Sequence, residues 1–193
     1  MNIRILTATL LLITASTTVQ SASLKLVPSA STVAQNGSFT VDLVLSASDL
    51  LLIPHPNLYG GSVIVDFNKD LLSYGGFTLK SGLSFFDAPV TTTNDSTQTV
   101  TFGFDNAPDV GTVGTFSFSV LGESGSIAFL GLVDADDYSG SFASYNSAYK
   151  RFTPVFTGTQ VNISAVPLPA GVWLLGTAVG ALAARRRFRH AVA

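Results

Sequence analysis

Between Leu24 and Ser164 apolar residues recur at every second position in short runs, and no stretch sustains the 3.6-residue period of an amphipathic helix. In Ser38 to Leu45, the side chains of Phe39, Val41, Leu43 and Leu45 fall on one side of an extended chain and those of Thr40, Asp42 and Val44 on the other. Val63, Val65 and Phe67 alternate in the same way with Ser62, Ile64 and Asp66. The pattern predicts strands at Ser23 to Val27, Ser38 to Leu45, Gly61 to Phe67, Leu71 to Leu79, Gln98 to Phe104, Gly114 to Leu121, Ser126 to Val133 and Val155 to Ile163. Gly, Asn, Asp, Ser and Pro separate them. Eight or nine strands, most with a single strongly apolar face, are best satisfied by two antiparallel sheets packed face to face, an all-β sandwich. Phe39, Phe67, Phe102, Phe104, Phe116, Phe118, Phe129 and Phe156 all sit in these strands and are expected to fill the space between the sheets.

Both ends of the chain read as targeting segments. Arg4 precedes an apolar run, Ile5 to Ala15, of the length of a signal-peptide h-region, and small residues follow, with cleavage expected after Ser21, Ala22 or Ser23. At the other end, Ala165 to Ala184 carries no charge and is followed by Arg185, Arg186, Arg187 and Arg189. A helix of that length rises about 30 Å, close to one hydrocarbon core, although Pro167 and Pro169 move its start to about Pro169 and shorten it to roughly 22 Å. The arginines act as a basic stop that stays cytoplasmic. The expected organisation is therefore residues 1–22 signal peptide, 23–164 exported domain and 165–193 anchor with a single transmembrane helix.

Removing the ends leaves five basic residues against twelve acidic ones, a net charge of −7 for the exported part. A surface of that sign lacks the basic face that nucleic acid or anionic lipid requires. Cysteine is absent, which excludes disulfides, thiolate metal sites and a cysteine nucleophile. About 140 residues bury enough surface to fold without such staples.

Two resemblances follow from particular residues. Val166, Pro167, Leu168, Pro169 and Ala170, then Gly-Val-Trp-Leu-Leu-Gly and the arginine cluster, resemble the PEP-CTERM sorting signal in its VPLPA variant. That resemblance implies recognition and processing by an exosortase, a transient inner-membrane anchor, and delivery to the cell surface or extracellular matrix of a Gram-negative bacterium that makes exopolysaccharide. The exported segment resembles a cohesin-type domain, a nine-stranded jelly-roll sandwich, through Val33-Ala-Gln-Asn-Gly-Ser-Phe-Thr-Val-Asp-Leu-Val-Leu45, Gly61-Ser-Val-Ile-Val-Asp-Phe-Asn-Lys-Asp-Leu-Leu72 and Gly114-Thr-Phe-Ser-Phe-Ser-Val120. Phe67-Asn68-Lys69 departs from the Tyr-Asp-Pro-like turn usual there. Cohesins of cellulosomes bind dockerins, but a fold does not carry its function with it.

Material for catalysis is sparse. His55, in Ile53-Pro-His-Pro-Asn57, has no acid or nucleophile beside it, and no nucleophile elbow, zinc-helix motif or phosphate loop is present. Glu123 lies in an expected hairpin turn. Asp134, Asp136 and Asp137 present hard oxygen ligands suited to Ca²⁺, with a solvated acidic loop as the other reading; Asp105 to Asp109 is a similar cluster. Asp66, Asn68 and Asp70 read as a strand end with a turn, because Lys69 opposes a cation there. The expectation is a non-enzymatic surface or matrix protein whose sandwich binds polysaccharide or another extracellular protein. The alternative is an exported carbohydrate-active enzyme, since two carboxylates suffice for glycoside hydrolysis.

Overall fold

The alternation of Ser38 to Leu45 becomes a strand whose buried positions are Phe39, Val41, Leu43 and Leu45. The same rule, carried along the chain, builds the sandwich seen in the computed structural model, which describes residues 22–46, 58–108, 110–135, 142–144, 150–165 and Thr177. The strands are β1 (Ser23–Pro28), β2 (Thr32–Ala34), β3 (Ser38–Ser46), β4 (Leu58–Asn68), β5 (Leu72–Leu79), β6 (Ser84–Asn94), β7 (Thr97–Pro108), β8 (Val110–Val120), β9 (Ile127–Asp134), β10 (Phe142–Ser144), β11 (Lys150–Phe152), β12 (Val155–Thr157) and β13 (Thr159–Ser164). Nine of these thirteen have six residues or more, and β2, β10, β11 and β12 are three-residue pieces. The excess over the expected nine comes from those short pieces.

The smaller sheet has the order β12-β1-β3-β8-β5. In the larger, the path β11-β10-β4-β9-β13-β2 is extended on the other side of β4 by β7 and then β6. Strands β9 and β10 lie along the same edge of β4: Asp134 faces Val63 and Ala143 faces Gly60. Two pairings, β1 with β12 and β13 with β2, are parallel, which an antiparallel reading does not anticipate.

Aromatic rings from both inner faces meet in the middle. Phe67 of β4 lies 5.1 Å from Phe118 of β8, and Phe77 of β5 lies 4.4 Å from both Phe102 and Phe116. Contacts of this kind add about 0.5–1.5 kcal/mol each beyond burial. Val63, Val65, Val100, Leu43 and Leu130 close the core around them.

Three differences from the sequence expectation have physical causes. The segment Val155 to Ile163 is two strands in different sheets, because the chain crosses at Gly158, where a Cβ would collide with the Leu130 carbonyl. Strand β6 was not anticipated: it is an edge strand exposed along nearly its whole length, so no alternation marks it. Phe129 is not in the core; it is 62% exposed.

The signal peptide and the C-terminal helix fall outside the described residues, apart from Ala22, Ala165 and Thr177. Among the described residues no helix is long and apolar enough to cross a membrane.

Candidate binding face

An antiparallel sheet that is covered on one side ordinarily turns polar residues to the other. The smaller sheet obeys this rule. Its outer surface is built from the alternate positions of β3 and β8, paired Ser38 with Ser119, Thr40 with Ser117 and Asp42 with Thr115. The hydroxyls are tied to neighbours: Thr115 Oγ1 donates to Asp42 Oδ1 at 2.7 Å, and the Thr40 amide donates to Ser29 Oγ at 3.1 Å. A depression of about 370 Å³ there is lined by Ser29, Ser38, Thr40, Ser117 and Ser119 among others. Valines, Val27, Val110 and Val155, supply its exposed apolar side chains in strands.

The larger sheet does not obey it. Register places Val90 of β6 beside Thr101 of β7, Thr101 beside Ile64 of β4, and Ile64 beside Val133 of β9, one continuous row across four strands. Strands lie about 4.8 Å apart, so the row spans roughly 14 Å. Val90 is 61% exposed and Val133 49%. Along β9 the row continues to Phe129 and Ile127, both exposed, which pair with Gln160 and Asn162 of β13. Phe86 adds a half-exposed ring at the β6 side; it lies flat over Gly103, and any Cβ on Gly103 would collide with it.

One carboxylate interrupts the apolar surface. Asp66 faces outward between Thr99 and Gly131, and its carboxylate lies across Gly131 so closely that a Cβ there would overlap it. No cation pairs with it among the described residues. A depression of about 400 Å³ opens beside the row, lined by Ser62, Asp87, Val90, Thr101 and Ala135 among others. The two outer faces thus carry depressions of similar size, each with a mixed polar and apolar lining.

The residues singled out from sequence are dispersed. Asn68 Oδ1 accepts from the Asp70 amide at 2.8 Å and Lys69 pairs with Asp70 at 3.0 Å, so Asn68 to Asp70 forms a side-chain-closed turn while Asp66 points to the sheet face. Glu123 sits exposed in the turn before β9, its carbonyl accepting from the Ser126 amide. Asp105 Oδ1 accepts from the Asn106 amide at 2.6 Å, and Asp109 lies outside the described residues. Asp134 ends β9, whereas Asp136 and Asp137, the other two carboxylates of the calcium expectation, lie outside the described residues. So do His55, Val166 to Ala170 and Arg185 to Arg189. Among the described residues no group of three His, Cys, Asp or Glu is placed to hold a metal ion. Burial against Phe67, Phe116 and Phe118 raises the Tyr74 hydroxyl above its ordinary pKa, and Tyr74 belongs to the core.

The outer-face cluster was not identified from sequence, although a signal was present. In Ile127 to Val133, Ala128, Leu130 and Leu132 alternate with Ile127, Phe129 and Val133, so both faces of the strand are apolar and period two cannot choose between them. Among the described residues no helix lies over β9, so a strand apolar on both faces leaves one apolar face exposed.

No family model matches the chain, and no curated protein matches it in sequence. Solved structures do match in shape. A type I cohesin from Pseudobacteroides cellulosolvens aligns with a TM-score of 0.54 at 12% identity, over 76% of this chain and 96% of its own. A type II cohesin in complex with an X-dockerin, from Acetivibrio cellulolyticus, aligns at 0.51 and 9% identity over 74% of this chain and 99% of that one. A cohesin module of a Clostridium perfringens family 33 glycoside hydrolase aligns at 0.51 and 12% over 78% and 100%. At these identities the likeness concerns the scaffold: the described residues form an all-β sandwich with a cohesin-like fold.

Proposed function

We propose that this chain is an exported, non-enzymatic binding module that holds another extracellular protein on the outer face of its larger sheet. The observation that carries the reading is the row Val90, Thr101, Ile64 and Val133, with Phe129 and Ile127 further along β9 beyond Gly131 and the Asp66 carboxylate. A contiguous exposed apolar surface on a folded domain marks an interaction site. Aliphatic side chains predominate on it, which suits the apolar cluster of a protein partner better than a sugar, whose hydroxyls need many polar groups to replace water. Asp66 sets one acidic point inside the patch, so a lysine or arginine flanked by apolar residues is the complementary arrangement. The Acetivibrio cellulolyticus structure is of a cohesin bound to a protein partner, which agrees with a protein ligand for this scaffold.

The terminal segments supply the address in this reading. The signal peptide exports residues 23–164, the VPLPA motif and Arg185 to Arg189 hold the precursor in the inner membrane, and an exosortase-type enzyme releases it to the cell surface or matrix. An intact mass that retains Trp173 and the arginines, from a strain with an active exosortase, contradicts that part.

Binding is tested with the double variant Phe129→Ser/Val133→Ser. Immobilised wild-type chain should retain a protein from the envelope fraction of its own host that the variant does not, while both melt alike. Retention that survives protease digestion of the envelope fraction would instead identify a polysaccharide ligand.

A further inference from the structure

Every open sheet ends in strands with unpaired backbone groups on one side, and folds protect such edges with short strands, bulges, prolines or charges. Most edges of this sandwich are protected. In the smaller sheet β12 has three residues, and β5 is broken by a register shift between Tyr74 and Gly76, with Gly76 at φ 131. In the larger sheet β2 and β11 have three residues each, and β11 carries Lys150 and Arg151. Strand β6 has eleven.

The two halves of β6 differ. Register shifts fall between Phe85 and Asp87 and between Asp87 and Val90, and Pro89 lacks an N–H, so the first half cannot accept a neighbour. From Val90 to Asn94 the pairing with β7 is unbroken, and the segment Val-Thr-Thr-Thr-Asn is uncharged, exposed and rich in β-branched residues. Asn94 and Thr97 close a two-residue loop in which Asp95 adopts φ 47. The closing pair exchanges both hydrogen bonds, and bonding alternates along an antiparallel ladder. Thr92 therefore bonds toward β7, while the N–H and C=O of Thr91 and Thr93 point away from the sheet.

We propose that this edge pairs with the same edge of a second copy of the chain, antiparallel about a two-fold axis at Thr92. In that register Thr91 faces Thr93 of the other copy and Thr93 faces its Thr91, which uses all four outward donors and acceptors. Centring the pair on Thr91 would set Thr93 against Pro89, which has no donor; centring it on Thr93 would set Thr91 against Asp95 in the turn. A two-fold axis at Thr92 pairs each residue of one copy with its counterpart on the other, as in any isologous contact. Cross-strand Thr pairs are favourable. Two domains of net charge −7 repel, and the strip Val90 to Asn94, which bears no ionised side chain, is where that repulsion opposes pairing least. A five-residue edge buries far less than the roughly 1,200 Å² of a stable interface, so the pair is weak and forms where copies are crowded. It uses the β6 backbone and leaves Phe129 and Val133 of β9 open, so Val90 is the one residue of the binding face that lies on the paired strip.

The absence of cysteine makes the test direct. In an antiparallel pair, residues facing each other between the hydrogen-bonded pairs have Cα atoms about 4.5 Å apart, within disulfide reach. Full-length Thr92→Cys under mild oxidation should form a disulfide-linked dimer at least about tenfold faster than Thr78→Cys on the β5 edge, which controls for association through other parts of the chain. Adding Thr91→Pro, or Thr93→Lys, which leaves the backbone donors in place, should bring the Thr92→Cys rate down to that of the control. Equal rates for Thr92→Cys and Thr78→Cys overturn the proposal. So does a fast Thr92→Cys rate that Thr93→Lys leaves unchanged.

Discussion

The two outer faces of this sandwich are made by the same rule and differ in their central positions, hydroxyl-rich on the smaller sheet and more apolar on the larger. Both sheets send large apolar residues inward, and both have alternate positions left over. On the smaller sheet those positions include Ser38, Thr40, Asp42, Thr115, Ser117 and Ser119, with Thr115 bonded to Asp42, and the exposed valines Val27, Val110 and Val155. On the larger they include Ile64, Val90, Ile127, Phe129 and Val133, with Asp66 among them. Folding does not explain the second set, since the core is complete without it. Under the function proposed above, this second set is the surface that meets the partner.

The comparison can be broken at several points. The largest effect belongs to the inner face: Phe116→Ala should destabilise the domain by about 3–5 kcal/mol, because the ring is wholly buried between Phe77, Phe102 and Phe118. Urea unfolding followed by far-UV circular dichroism reads it. Gly103→Val, on the outer face of the larger sheet, should cost about 1–3 kcal/mol in the same assay, since the new side chain expels Phe86 from its seat. Adding Phe86→Ala should recover most of that loss. On the smaller sheet, Thr115→Val removes the bond to Asp42 and should cost about 1 kcal/mol. The smallest effect is the most informative: Phe129→Ser should change stability by no more than about 0.5 kcal/mol, as for a surface position. A loss comparable to that of Phe116→Ala would return Phe129 to the core and remove the contrast.

Much of this fold was legible before the structure. Where one face of a strand is polar, as in β3 and β4, alternation settled both the strand and its orientation. It failed where that contrast is missing. Strand β9 is apolar on both faces, so Phe129 was assigned inward; β6 is exposed nearly throughout and bulged at Phe85 to Val90, so it did not register as a strand. The crossing at Gly158 was hidden because Val155 to Thr157 and Thr159 to Ser164 are both extended, and only their partners differ. The carboxylates that drew attention in sequence were those close in the chain, Asp134 to Asp137, Asp105 to Asp109, and Asp66 with Asp70, which read as a strand end with a turn. Asp66 acquires its place on the face from Thr99 and Gly131, distant residues brought beside it by register.

Site-specific photo-cross-linking in the native host tests the central claim most directly. A photoreactive phenylalanine analogue at position 129 on the larger sheet is compared with the same analogue at position 117 on the smaller, both in full-length chain. The account predicts a discrete cross-linked protein species from position 129, lost when Val133→Ser and Asp66→Lys are added, and none from position 117. Equal cross-linking from both faces, or adducts from position 117 alone, would contradict it.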